Sequence, residues 1–261
     1  VAARRQPGSA FKPFVYLAAL ERGLTPDTVR SDSPVSISGW RPENYTRDYR
    51  GEVSLTTALA SSLNTVAVRL GQEVGPRSVV RTAQRLGIGS ALAANPSIAL
   101  GTSEVNLLEL AGAYAPFANG GTGVIPHVIT RIRTTAGRVL FERRPMNNGQ
   151  VVEPRHVAMM NAMMNQTTVS GTARTVRLPG WIVAGKTGTS QEFRDSWFVG
   201  YTGRFVAGVW LGNDDGTPTR RLTGGGLPVD VWNRVMAEAH RGQSIVDLPG
   251  NWRSYDAPGR I

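Results

Sequence analysis

Of the 29 basic residues in the chain only two are lysine, Lys12 in PGSAFKPF and Lys186 in AGKTGTS. Lysine can lose its proton inside a protein whereas arginine stays a cation, so these two positions could hold a base and a tunable charge. Ser9 precedes Lys12 by three residues, a spacing that puts both on one face of a helix. A serine in a first helical turn has a backbone N–H without an intrahelical acceptor, and the positive end of the helix dipole lies beside it. To act as a base near neutrality, Lys12 must fall from a pKa of about 10.4 by roughly three units, through burial, the helix terminus and a second cation. Lys186 could be that cation. Together they would supply a neutral amine, an activated serine and a positive patch for an anionic substrate, which is nucleophilic catalysis without histidine.

With 17 serines and two lysines in the chain, S-x-x-K should occur by chance roughly 0.1 times and K-T-G roughly 0.02 times, so finding both in order is a strong signal. S-x-N, at Ser62, Leu63 and Asn64, is nearly expected by chance. Its value is positional, because it falls between the other two where two short helices meet and a hydroxyl and an amide can project into a cleft.

The remaining composition narrows the chemistry. The chain has no cysteine, so thiol catalysis, disulfides and Cys-ligated zinc are excluded. His127, His156 and His240 lie far apart without carboxylates at ligand spacing and read as surface or capping residues, which leaves neither a metal centre nor a Ser-His-Asp triad. No cofactor motif is present. A net charge of +10 would suit a phosphate- or carboxylate-rich partner, but the arginines are scattered, and nucleic-acid binding ranks third among the readings.

These residues must be positioned by the elements around them. SAFKPFVYLAALERG reads as a helix with a buried stripe of Phe14, Val15, Leu17, Ala18 and Leu20 that ends at Gly23. Residues 24–53 read as a long ordered loop in which Trp40 and Tyr45, from SGWRPENY, could line a groove. Two short helices meeting at Ser61 and Ser62 follow, then a helix from Pro76 to Gly87. Residues 103–118 are helical and closed by NGG. A hairpin turns near Ala136 and Gly137. EPRHVAMMNAMMNQTTVSGTA is a helix with methionine core filler, and three strand-like runs, WIVAGKTGTS, DSWFVGYT and RFVAGVWLGND, precede a last helix, PVDVWNRVMAEAHRG. Residues 248–261 read as an extended or frayed tail. The order gives an α+β fold, an antiparallel sheet flanked by helices with a helical subdomain.

SAFK, SLN and KTGT, in that order, resemble the three motifs of the penicillin-recognising serine acyltransferases, the penicillin-binding proteins and serine β-lactamases. RRQPGSAFKPFVYLAALERG, WRPENY, VSGTA, AGKTGTS and DSWFVGYT are similar to the transpeptidase domain of class A, bifunctional penicillin-binding proteins over nearly the whole chain. The resemblance implies a β-lactamase/transpeptidase-like domain over 1–261. It implies that Ser9 attacks a D-Ala-D-Ala carbonyl, Lys12 takes its proton, Ser62 relays a proton to the leaving D-alanine and Asn64 orients Lys12 and the substrate amide. Lys186 would set the potential, Thr187 and Thr189 would bind the substrate carboxylate, and Gly188 would let the strand approach the acyl group. Backbone N–H groups of Ser9 and Thr189 would form the oxyanion hole. Peptidoglycan stem peptides and β-lactams are the implied partners, on the periplasmic side of the bacterial inner membrane.

In that family two strands precede the serine helix, whereas eight residues precede Ser9 here. The expectation is therefore a chain truncated at its N-terminus, with a glycosyltransferase domain and membrane anchor upstream, and an open apolar edge at Phe205, Val206, Val209 and Trp210. A β-lactamase would need a deacylating carboxylate, and Glu104 and Glu109 lie in a segment that reads as structural. A penicillin-sensing module without turnover is the other alternative.

Overall fold

The computed structural model describes residues 3–144, 146 and 148–255. The chain begins with β1 (Arg4–Arg5) and a 3-10 turn over Gly8–Phe11, which runs into α1 (Lys12–Leu20) with Pro13 in its first turn. All nine residues of α1 are buried. The expected buried stripe is therefore a helix enclosed on every side, as its apolar composition allows. Ser9 lies in the 3-10 turn and not in the α-helix proper.

The region expected to be one loop is framed by β2 (Val29–Asp32) and β3 (Gly51–Ser54), paired antiparallel, with residues 33–50 looping between them. The helical subdomain follows, with α2 (Leu55–Ala60), α3 (Asn64–Val74) and α4 (Pro76–Leu86), the last starting on Pro76 and stopping at Gly87 as expected. Next, β4 (Val105–Asn106) pairs with β1, and Asn106 caps α5 (Leu107–Ala118) in a reciprocal box with Glu109. The helix expected from residue 103 thus starts four residues later. The carboxylate of Glu109 also accepts hydrogen bonds from the backbone of Gly89 and Ser90, a structural role.

The hairpin is β5 (Arg131–Arg133) and β6 (Val139–Glu142), and α6 (Pro154–Val169) buries Met160, Met163 and Met164. The main sheet is β7 (Ala184–Thr189), β8 (Asp195–Tyr201) and β9 (Val206–Gly212), antiparallel in that spatial order, followed by α7 (Leu227–Ala239). Along β8 the side chains alternate. Trp197, Val199 and Tyr201 join the main core with Tyr114 and Phe117, and Phe198 faces Trp232 of α7. Both faces of the sheet are thus covered by helices, which is the α+β layering read from the sequence.

Among the described residues β9 pairs only with β8. Its residues are half-buried, and the Arg5 guanidinium lies 5.3 Å over the Trp210 ring. The C-terminal segment departs from expectation. Leu248 and Trp252 are 3% exposed, and residues 252–255 form a 3-10 turn against α6, because two large apolar side chains outweigh the local Pro and Gly. Residues 256–261 lie outside the described residues. His240 is buried and bridges the Thr202 hydroxyl to the Met236 carbonyl at the end of α7.

Candidate active site

The sequence folds the nucleophile turn by backbone contacts. Gly8 has φ of +54°, and a β-carbon there would lie 2.5 Å from the Thr189 carbonyl oxygen. Its N–H donates to the Gly101 carbonyl at 3.3 Å. Gly188 faces the same turn from the strand side. A β-carbon on it would come within 2.2 Å of the Pro7 carbonyl oxygen, so glycine at 188 is explained by the approach of β7 to the serine turn itself. The Tyr114 hydroxyl donates to the Ala10 carbonyl and fixes the turn from below.

Lys12 is fully buried at the start of α1. Its Nζ lies 2.6 Å from the Ser62 carbonyl oxygen, 2.8 Å from Asn64 Oδ1 and 3.2 Å from Ser62 Oγ. Burial, and then the charge of Lys186, hold its pKa well below the usual lysine value. Lys186, in the middle of β7 and also fully buried, donates to Ser62 Oγ at 2.9 Å and to the Thr187 carbonyl at 3.2 Å. Burial alone pushes its pKa down to about 7. Ser62 occupies a left-handed backbone conformation, φ +59°, between α2 and α3, and this turns its hydroxyl and its carbonyl toward the lysines.

An uncharged lysine amine has two N–H donors and one lone pair. The Ser62 carbonyl and the Asn64 amide oxygen take the two donors of Lys12, and the lone pair remains for a hydroxyl. Ser9, Ser62, Asn64, Thr187 and Thr189 all line one cleft of about 920 Å³. The sequence-predicted site residues are thus brought to one place, Trp40 and Tyr45 included. Tyr45 is 72% exposed and meets Phe193 edge-on at 6.2 Å across the cleft mouth. The Ser9 side chain is half-buried on the cleft wall, and the amine contacts of Lys12 go to Ser62 and Asn64.

Sequence reasoning missed three contributors. Thr172, in the quoted VSGTA run, shares a 2.6 Å hydrogen bond with the Thr187 hydroxyl. The Gly224 N–H donates to the Thr189 hydroxyl at 3.1 Å. Asn44, inside the WRPENY run quoted for its aromatics, accepts from the backbone N–H of Asn64 at 2.8 Å. Among the described residues, Glu43 is the one acid lining the cleft, and its carboxylate lies 3.4 Å from the Arg47 guanidinium.

A Ser-x-x-Lys turn, a Ser-x-Asn junction and a Lys-Thr-Gly strand around one cleft define the fold of the penicillin-recognising serine transferases. A family model described as the penicillin binding protein transpeptidase domain matches residues 1–210, and the chain belongs to that family. It is 39% identical over 257 residues to penicillin-binding protein 1A of Neisseria meningitidis serogroup B, covering 93% of this chain and 32% of that protein. It is 38% identical to penicillin-binding protein 1A of Aquifex aeolicus over 243 residues, 90% of this chain and 33% of that one. The chain therefore spans about a third of the length of these relatives. Among solved structures, penicillin-binding protein 1A from Haemophilus influenzae superposes with TM-score 0.87 at 27% identity, over 95% of this chain and 44% of the other. PonA1 from Mycobacterium tuberculosis, in complex with penicillin V, gives TM-score 0.87 at 29% identity, over 95% of this chain and 72% of the other. No helix among the described residues is long and apolar enough to cross a membrane.

Proposed function

We propose that this domain is a serine D,D-transpeptidase that cross-links peptidoglycan on the extracytoplasmic side of the bacterial inner membrane and is inhibited by β-lactams. The observation that carries the reading is the Ser62 hydroxyl set between two fully buried lysine amines, at 3.2 Å and 2.9 Å. Ser9 Oγ attacks the carbonyl of the penultimate D-alanine and passes its proton to Lys12. The proton crosses by Ser62 to the leaving amine, the C–N bond breaks and D-alanine departs. An amine of a second stem peptide then reverses the sequence, releasing Ser9 and forming the new amide.

Lys186 supplies positive potential beside the strand, and the hydroxyls of Thr187 and Thr189 receive the substrate carboxylate. The N–H of Ser9, in a 3-10 turn where it has no helical acceptor, pairs with that of Thr189 as the oxyanion hole, a contribution of about 3–4 kcal/mol per donor. Trp40 and Tyr45 contribute the outer wall for the stem peptide. With Glu43 engaged by Arg47, the acyl-enzyme lacks a free carboxylate to activate water, so its hydrolysis is slow.

The test is intact-mass spectrometry after exposure to a labelled penicillin, with release of D-alanine from a pentapeptide stem in the presence of an acceptor amine. A stable single adduct on Ser9 and amine-dependent D-alanine release are expected. Rapid hydrolytic turnover would indicate a β-lactamase. Acylation without D-alanine release would indicate a sensing module, and labelling that survives Ser9→Ala would overturn the assignment.

A further inference from the structure

Asn64 sits at the first position of α3, and the residue before it, Leu63, has no side chain able to cap the helix. The cap comes from another segment. Asn44 Oδ1 accepts from the backbone N–H of Asn64 at 2.8 Å and lies 3.4 Å from that of Thr65. Its Nδ2 donates to Asp32 Oδ1 at 2.7 Å and to the Asp48 carbonyl at 2.9 Å. Asp32 is fully buried, its Oδ1 accepts from the Thr65 hydroxyl, and its Oδ2 accepts from the Arg50 N–H at 2.9 Å.

Each amide in this chain of contacts can point only one way. Backbone N–H groups only donate, and carboxylates and carbonyls only accept, so Asn44 cannot be flipped. The neighbouring carbonyl of Glu43 takes the Asn64 Nδ2 at 2.7 Å, which leaves Asn64 Oδ1 for the Lys12 amine at 2.8 Å. A flipped Asn64 would set donor against donor at Lys12 and oxygen against oxygen at Glu43. One two-residue stretch of loop thus holds both the main chain and the side chain of Asn64, and a buried carboxylate holds that loop.

We propose that Asn44 and Asp32 are positioning residues for acylation, fixing the Asn64 amide with its oxygen toward Lys12 so that the lone pair of the amine faces the hydroxyls. This rests on the roles given above to Ser9 and Lys12. Their effect falls on the acylation step and not on the capture of penicillin, because neither makes its contacts through the substrate. A displacement of about 1 Å in a group that aligns the base lowers the rate on the order of a hundredfold.

The test uses the full chain, with acylation by a fluorescent penicillin followed to saturation and the side-chain amide signals of Asn64 followed by 15N NMR. In Asn44→Ala the acylation rate at saturation should fall about ten- to a hundredfold while the half-saturating concentration stays within about twofold. The Asn64 amide protons, distinct and slow to exchange in the parent, should exchange fast. Asp32→Asn keeps the shape but turns a donor toward the Arg50 N–H, and should lower the saturated rate at least about fivefold; it serves as the deciding variant if Asn44→Ala does not fold. The double variant Asp32→Asn with Asn44→Asp restores a donor–acceptor pair and should recover most of the rate. Unchanged saturated rates in folded single variants, or unchanged Asn64 amide signals, would overturn the inference. A parent chain that penicillin does not label would instead refute the role of Ser9, and the amide signals would still decide whether Asn44 holds Asn64.

Discussion

Lys12 and Lys186 share one hydroxyl. Ser62 Oγ lies 3.2 Å from the first amine and 2.9 Å from the second, and both amines are fully buried. Two adjacent buried ammonium groups would repel each other without solvent to screen them, so the pair is arranged to hold one charge, and Lys12 is the member driven furthest down. The base and the electrostatic partner are therefore distinguished by environment, not by residue type.

Replacing the base should separate binding from chemistry. Lys12→Arg keeps a cation but cannot accept a proton, and the acylation rate of labelled penicillin should fall about 10²–10⁴-fold. Stopped-flow fluorescence at saturating ligand measures it, and a rate within tenfold of the parent, as about a 1.4 kcal/mol change, would contradict the role.

Stability should depend on pH through Lys186. In the unfolded chain lysine titrates near 10.4, whereas burial holds this one at about 7. Between those values the unfolded chain binds more protons, so the contribution of Lys186 to stability rises with pH across that window and is least favourable at and below the lower value. Urea unfolding of the parent and of Lys186→Met, at about pH 7 and about pH 9.5, should show the parent gaining relative to the variant at the higher pH.

Gly188→Ala should be costly for a steric reason. The added carbon meets the Pro7 carbonyl oxygen at 2.2 Å, a contact with main chain that has no rotamer to yield. A loss of about 1–3 kcal/mol in urea unfolding is expected, together with slower acylation, because β7 must move away from the turn that carries Ser9.

Thr172→Val should weaken capture without destroying chemistry. It removes the 2.6 Å partner of the Thr187 hydroxyl, a bond worth about 0.5–1.5 kcal/mol. The half-saturating penicillin concentration should rise by about two- to tenfold, with the saturated acylation rate little changed.

The chemistry was legible where its signal is local. Ser9 to Lys12 is three residues on one helical face, Lys186-Thr187-Gly188 is a single strand, and Pro76 and Gly87 delimit α4 by backbone preference alone. The relay from Asp32 through Asn44 to Asn64 could not be read, since its links span 12 and 20 residues and depend on how a loop folds over a helix end. Gly188 looked like an accommodation for substrate until the Pro7 carbonyl appeared opposite it. The segment 248–255 carries Pro and Gly and reads as frayed, yet the Asn161 side chain donates to the Pro249 carbonyl at 3.1 Å and Trp252 is buried. Tertiary burial there overrides local composition.

The backbone stack of Gly8, Gly101 and Thr189 has a bearing on inhibitor design. A β-carbon at Gly101 would stand 2.2 Å from the Gly8 carbonyl oxygen, so three peptide planes lie against one another with nothing soft between them. The nucleophile side of the cleft cannot accommodate a bulky compound by rearranging. A ligand must match that wall as it stands and place its variable bulk at the opposite rim, where the Tyr45 ring stands largely in solvent.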